Sequence, residues 1–109
     1  MNKTSIGEFE EIVLLTVAVL DNEAYGVAII KEIKDRLKRN VSVGATQTAL
    51  RRMEKKGFLK AEFGETTHVR GGKRKKYFRI TPYGMKTLKE VKEDRNKLWV
   101  SIPKPILDL

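Results

Sequence analysis

A mainly α-helical fold carrying one small β-hairpin is predicted by the spacing of the apolar residues. Up to residue 57 they recur with the 3.6-residue period of helices, from Leu59 the period drops to two, and Thr81-Pro82 then restarts a helix. With 109 residues the chain has room for one hydrophobic core, so these elements must share it.

Ser5-Ile6-Gly7-Glu8 has the spacing of a capping box and predicts the start of helix 1. Glu8, Glu10 and Glu11 suit the positive end of the helix dipole, and residues 12–20 are apolar around the whole circumference, which predicts burial on all sides. After Asp21-Asn22-Glu23, a second helix from Tyr25 sets Val27, Ile30, Ile33 and Leu37 on one stripe, with Lys31, Lys34, Asp35 and Lys38 opposite. Ser42 is a good N-cap for a third helix over 43–56, and Gly57 suits its left-handed end. Val43, Thr46, Leu50 and Met53 are expected inside, with Ala49 beside them. Gly44, Gln47, Thr48, Arg51, Arg52 and Lys55 are expected outside. Leu59, Ala61 and Phe63 form the inward face of a first strand, and Phe78 and Ile80 that of a second, joined through Gly71-Gly72. Thr81 as cap and Pro82 in the first turn open a fourth helix reaching about Val100, where Pro103 and Pro105 stop it and leave a short tail. The expected division is 1–81 for the three helices and the hairpin and 82–109 for the fourth helix and tail, the two forming one compact unit.

Composition narrows the chemistry. The absence of cysteine removes disulfides, zinc fingers, iron–sulfur clusters and thiol catalysis. The longest apolar run, residues 12–20, is too short to cross a bilayer and follows no cationic leader, so a cytoplasmic protein without membrane attachment is expected. Lys and Arg number 23 against 14 Asp and Glu, a net charge of +9. The excess is concentrated: residues 26–79 hold sixteen basic and five acidic side chains, whereas residues 1–25 hold one and five. Such a middle suits a polyanion, because each phosphate neutralised releases condensed counterions. Scattered surface lysines serving solubility would produce the same totals, so arrangement decides.

Three helices followed by a basic hairpin and a further helix is the order of a winged helix-turn-helix, whose third helix enters the major groove while the wing touches the flanking backbone. The outer residues of helix 3, Gly44, Gln47, Thr48, Arg51, Arg52 and Lys55, together with Arg70, Lys73, Arg74, Lys75 and Lys76 of the hairpin, are therefore the candidate contacts to double-stranded DNA. No cofactor or metal is expected. His68, the single histidine, has no ligand set in the sequence and reads as a solvated or phosphate-contacting residue. Gly71-Gly72-Lys73 lacks the rest of a phosphate loop, since Arg74 replaces the Ser/Thr and Thr67 the first glycine; no catalytic residues are expected.

Gly7-Glu8-Phe9-Glu10-Glu11-Ile12-Val13-Leu14-Leu15, Glu23-Ala24-Tyr25-Gly26, Val43-Gly44-Ala45, Leu50-Arg51-Arg52-Met53-Glu54-Lys55-Lys56-Gly57, and the run from Arg70-Gly71-Gly72-Lys73 through Tyr77-Phe78-Arg79-Ile80-Thr81-Pro82-Tyr83-Gly84 together resemble the PadR family of bacterial transcriptional regulators. The resemblance spans residues 6 to about 90. It implies a dimeric winged-helix repressor whose DNA affinity a small molecule often lowers. Gln47 stands where the family commonly has an aromatic residue, so no base preference tied to that ring carries over.

On helix 4, Leu88, Val91, Leu98 and Ile102 follow near-heptad spacing interrupted by Arg95, which predicts a homodimer seam; the alternative is a helix folded back on its own domain. Trp99 either packs in that seam or lines a pocket for a small aromatic effector, as the resemblance to multidrug-sensing relatives implies. Leu15, Leu88, Val91 and Leu98 are then the expected neighbours of that ligand. The leading function is a sequence-specific DNA-binding regulator, a repressor released by a small molecule. The alternatives are a winged-helix module for protein partners without specific DNA binding, and an RNA-binding adaptor.

Overall fold

The computed structural model describes residues 6–64 and 75–109. Its elements run α1 (Glu8–Leu20), a short 3-10 turn (Asp21–Glu23), α2 (Gly26–Leu37), α3 (Val43–Lys55), β1 (Leu59–Phe63), β2 (Lys76–Ile80), α4 (Pro82–Ser101) and α5 (Lys104–Leu107). The mainly helical fold with one antiparallel strand pair is as expected, with Leu59 opposite Ile80, Ala61 opposite Phe78 and Phe63 opposite Lys76.

Local chemistry accounts for the boundaries of α3 and α4. The Ser42 hydroxyl accepts a hydrogen bond from the Ala45 amide at 3.0 Å, and Gly57 takes the left-handed conformation, φ +86°, that ends α3 cheaply only for glycine. Thr81 accepts from the Gly84 amide at 3.0 Å and donates its hydroxyl proton to the Gly57 carbonyl at 2.6 Å, so one side chain ties the end of α3 to the start of α4. Gly84 is required there: a β-carbon would lie 2.3 Å from the Phe58 carbonyl oxygen.

The core joins Val13, Leu14 and Val17 of α1, Ile29 and Ile33 of α2, Ala49, Leu50 and Met53 of α3, Phe58, Leu59, Phe78 and Leu88. Thr46 is fully buried among them, and its hydroxyl donates to the Ser42 carbonyl at 2.8 Å, which removes the cost of an unpaired polar group.

Several expectations need correction. Helix α1 begins at Glu8 with Gly7 as its N-cap and no side-chain cap hydrogen bond; Ser5 lies outside the described residues. Its apolar circumference is not covered all round, for Leu15 and Val19 are exposed: the α1 surface between α2 and α4 has no third element over it. On α2 the buried stripe is Ile29 and Ile33, with Ile30 half-buried, while Val27 and Leu37 are exposed. Val27 stands roughly 120° around the helix from Ile33, too far to share its face. Val43, in the first turn of α3, and Phe63, at the far end of β1, are exposed because each lies beyond the reach of the core. Leu88 is buried in the chain's own core instead of standing free on a seam, since the first half of α4 folds back onto the domain. The tail contains the short helix α5, with Pro105 in its first turn, where a missing amide proton costs nothing.

Beyond Leu88 the helix outruns its support. Every residue from 95 to 101 is exposed, including Leu98, Trp99 and Val100. The radius of gyration is 16.7 Å. A compact chain of this length has about 13 Å.

Candidate nucleic-acid interface

Helix α3 is held by its inner face, where Thr46, Ala49, Leu50 and Met53 are buried. Helical geometry then turns Gly44, Gln47, Thr48, Arg51 and Lys55 outward along one strip with Arg52 beside it, and all six are exposed. Arg51, Arg52 and Lys55 carry no ion pair among the described residues, so their charges stand free for an anionic partner. An added β-carbon at Gly44 would meet nothing within 4 Å, which leaves the first turn of α3 open to close approach by a large ligand.

Acids in the neighbourhood are already engaged. Glu10 pairs with Lys56 at 3.6 Å, Glu8 with Arg39 at 2.9 Å, and Glu54 with Lys76 at 3.5 Å. Lys76, one of the expected wing contacts, thus stands beside Glu54 of α3 in a partly exposed pair, which leaves its charge accessible from solvent. Lys75 lies with its Nζ 4.3 Å from the centroid of the Tyr25 ring, a cation–π contact, and Tyr77 meets the same ring edge-on at 5.5 Å. The Phe78 amide donates to the Ala24 carbonyl at 2.8 Å and Arg79 to the Asn22 side chain at 2.7 Å. The base of the strand pair is thus bolted to the turn between α1 and α2. Arg70, Lys73, Arg74 and His68 lie outside the described residues.

Tyr25, which the sequence offered only as the start of the second helix and as part of a family motif, was not among the expected site residues, yet it joins the wing root to the start of α2.

A second feature lies between α1 and α4, a groove of about 440 Å³ lined by Glu11, Leu15, Met85, Leu88, Lys89, Lys92, Arg95, Asn96 and Trp99. It brings together Leu15, Leu88 and Trp99 from the expected effector set; Val91 and Leu98 are not in its lining. Arg95 reaches Glu11 at 2.6 Å across the groove, and this pair accounts for the polar residue within the apolar stripe.

Asp35 is held below the usual carboxylate range by its hydrogen bond from Lys31 and by the charge of that lysine, but both are well exposed on α2 and form an ordinary i,i+4 pair. Among the described residues no group of three or more His, Cys, Asp or Glu could hold a metal ion, and no helix is long and apolar enough to cross a membrane.

A family-wide sequence profile described as the transcriptional regulator PadR-like family matches residues 14–90. The chain belongs to that family. PadR relatives with solved structures agree in fold. A PadR-like transcription factor from Bacteroides fragilis is 27% identical with a TM-score of 0.70, covering 83% of this chain and 82% of its own. A PadR family regulator from Eggerthella lenta is also 27% identical, with a TM-score of 0.69 and coverage of 91% and 86%. An uncharacterized protein of Lysinibacillus sphaericus is 31% identical over 105 residues, 94% of this chain and 87% of that protein. As a PadR regulator the chain acts in DNA-binding transcriptional control and is not an enzyme; its strand pair is the wing and α4 the long C-terminal helix of a winged helix-turn-helix.

Proposed function

We propose that this PadR protein is a homodimeric repressor of the cytoplasm that reads operator DNA with the outer face of α3, grips flanking phosphates with its wing, and lets go when a small aromatic molecule binds near Trp99. One observation carries the reading: α3 presents Gly44, Gln47, Thr48, Arg51, Arg52 and Lys55 together, exposed and without competing acids, on a helix whose other face is locked in the core. Arginine and glutamine are side chains that pair bidentately with guanine and adenine edges, and small residues let the helix sit deep in the groove. Arg70, Lys73, Arg74, Lys75 and Lys76 add charge that is sequence-blind.

Dimerisation is supported by the apolar residues that α4 leaves in water, Leu98, Trp99 and Val100. On this reading residues 1–81 read the DNA and residues 82–109 couple two copies, so the angle at α4 sets the spacing of the two reading helices, which must match half-sites about 34 Å apart or a multiple of that turn. The groove beside Trp99 holds Lys89, Lys92 and Arg95 against the single carboxylate of Glu11, already paired. That balance favours a planar aromatic acid over an aromatic cation. Such a molecule releases DNA only by binding the incompetent arrangement more tightly, so operator and effector must weaken each other by the same factor.

The test is a titration of labelled duplex, taken from the DNA upstream of the protein's own gene, against a scrambled duplex of equal length. Saturable binding with at least about a thousandfold preference supports the repressor reading. Equal weak binding to both duplexes, with tight capture of a protein or RNA instead, overturns it. Trp99 emission reports the effector: phenolic acids should quench it saturably and lower operator affinity in the same concentration range.

A further inference from the structure

Helix α2 opens at Gly26, immediately after Tyr25, and the third helix crosses close to that point. A β-carbon placed on Gly26 would lie 2.9 Å from Nε2 of Gln47. Real β-carbons essentially never come that near another heavy atom, so the Gln47 carboxamide occupies the space that any residue but glycine would fill. Gln47 is itself an exposed residue, on the strip of α3 that faces away from the core.

We propose that Gly26 is a specificity-determining residue of this regulator, acting by position: its bare α-carbon is the seat against which the Gln47 carboxamide is held for base reading. The inference rests on α3 being the DNA-reading helix. Glutamine has three side-chain torsions and loses much of its rotamer freedom on binding, so a seat that limits those torsions beforehand favours one orientation of the amide toward a base edge. Gly26 touches no DNA on this reading. It acts through Gln47 alone.

The seat separates specificity from stability. The atom that a Gly26→Ala side chain would strike is the free end of a flexible chain, which can swing away, and φ at residue 26 is not in the left-handed region. Alanine is also the better helix former. The substitution should leave the melting temperature unchanged or higher while displacing the Gln47 amide. The cost therefore falls on recognition and not on folding.

The experiment selects preferred duplexes from a randomised library with the parent protein, then measures the ratio of affinities for the selected and scrambled duplexes in Gly26→Ala, Gln47→Ala, the double variant, and Gln47→Asn, whose shorter side chain withdraws the amide from the seat. Gly26→Ala is expected to reduce the ratio at least about fivefold, with the salt slope and melting temperature retained. The double variant should match Gln47→Ala, and Gln47→Asn should lose preference without any change in α2. If Gln47→Ala alters the preference and Gly26→Ala does not, or if Gly26→Ala costs as much in the Gln47→Ala background, the seat has no such role. If the parent selects no sequence, or Gln47→Ala leaves the preference intact, the assignment of Gln47 as a reading residue fails and the proposal falls with it.

Discussion

If two copies pair through α4 as proposed, Leu98→Ala should dissociate them. Leu98 is 73% exposed in the single chain and belongs to no core cluster, so its side chain adds little to the folding of one copy. Truncation to alanine removes three carbon groups, each worth about 0.8 kcal/mol when buried. Scaled by the exposed fraction and doubled because a two-fold interface uses the residue twice, the loss is about 3.5 kcal/mol per dimer. That corresponds to a dissociation constant weaker by roughly two to three orders of magnitude. Sedimentation equilibrium over a concentration series reads the shift directly, and far-ultraviolet circular dichroism checks that the helices remain. Operator binding should weaken in parallel, because a monomer holds only one half-site. A dissociation constant within about fivefold of the parent's would refute the seam on α4.

Other substitutions address separate parts of the molecule. Arg51→Ala, at an exposed position without an ion pair among the described residues, should leave the melting temperature unchanged and reduce operator preference by about 1 to 3 kcal/mol in a competition assay. Replacing Lys73, Arg74 and Lys75 by glutamine should weaken specific and scrambled duplexes alike and flatten the salt dependence by about 0.9 for each phosphate no longer neutralised. Gly84→Ala forces a β-carbon to within 2.3 Å of the Phe58 carbonyl oxygen, where backbone must move. Overpacking of that kind costs about 1 to 3 kcal/mol and outweighs alanine's helix preference, so urea unfolding should show a lower midpoint.

Features decided within a few residues were legible in the sequence. Ser42 as N-cap, Gly57 as left-handed terminus and Thr81-Pro82 at the start of α4 stand where the pattern put them, because each is dictated by the chain's own unsatisfied amides and carbonyls. The polar strip of α3 followed as well, since a capped helix of known phase has a calculable outer face. Positions decided by what lies overhead did not follow. Val43 and Phe63 are apolar and in phase, yet nothing covers them. Leu88 fits a heptad seam, yet it is buried in the chain's own core. The misphased stripe on α2 has a related cause: Val27 and Ile29 are both apolar, and only the packing against α1 and α3 chooses Ile29. The seat of Gln47 on Gly26 and the clasp of Lys75 and Tyr77 on Tyr25 join residues distant in sequence, and no local periodicity records them.

The assignment of α3 as the DNA-reading helix is tested most directly by the salt dependence of operator binding in the parent and in a variant carrying Arg51→Gln, Arg52→Gln and Lys55→Gln. These three cations are exposed and remote from the buried face of α3, so the variant should fold with the parent's melting temperature. If each contacts a phosphate or base in both copies, the slope of log affinity against log salt should fall by up to about 5, and the preference for operator over scrambled duplex should collapse. A slope and a preference equal to the parent's would contradict the assignment and move the interface elsewhere on the molecule.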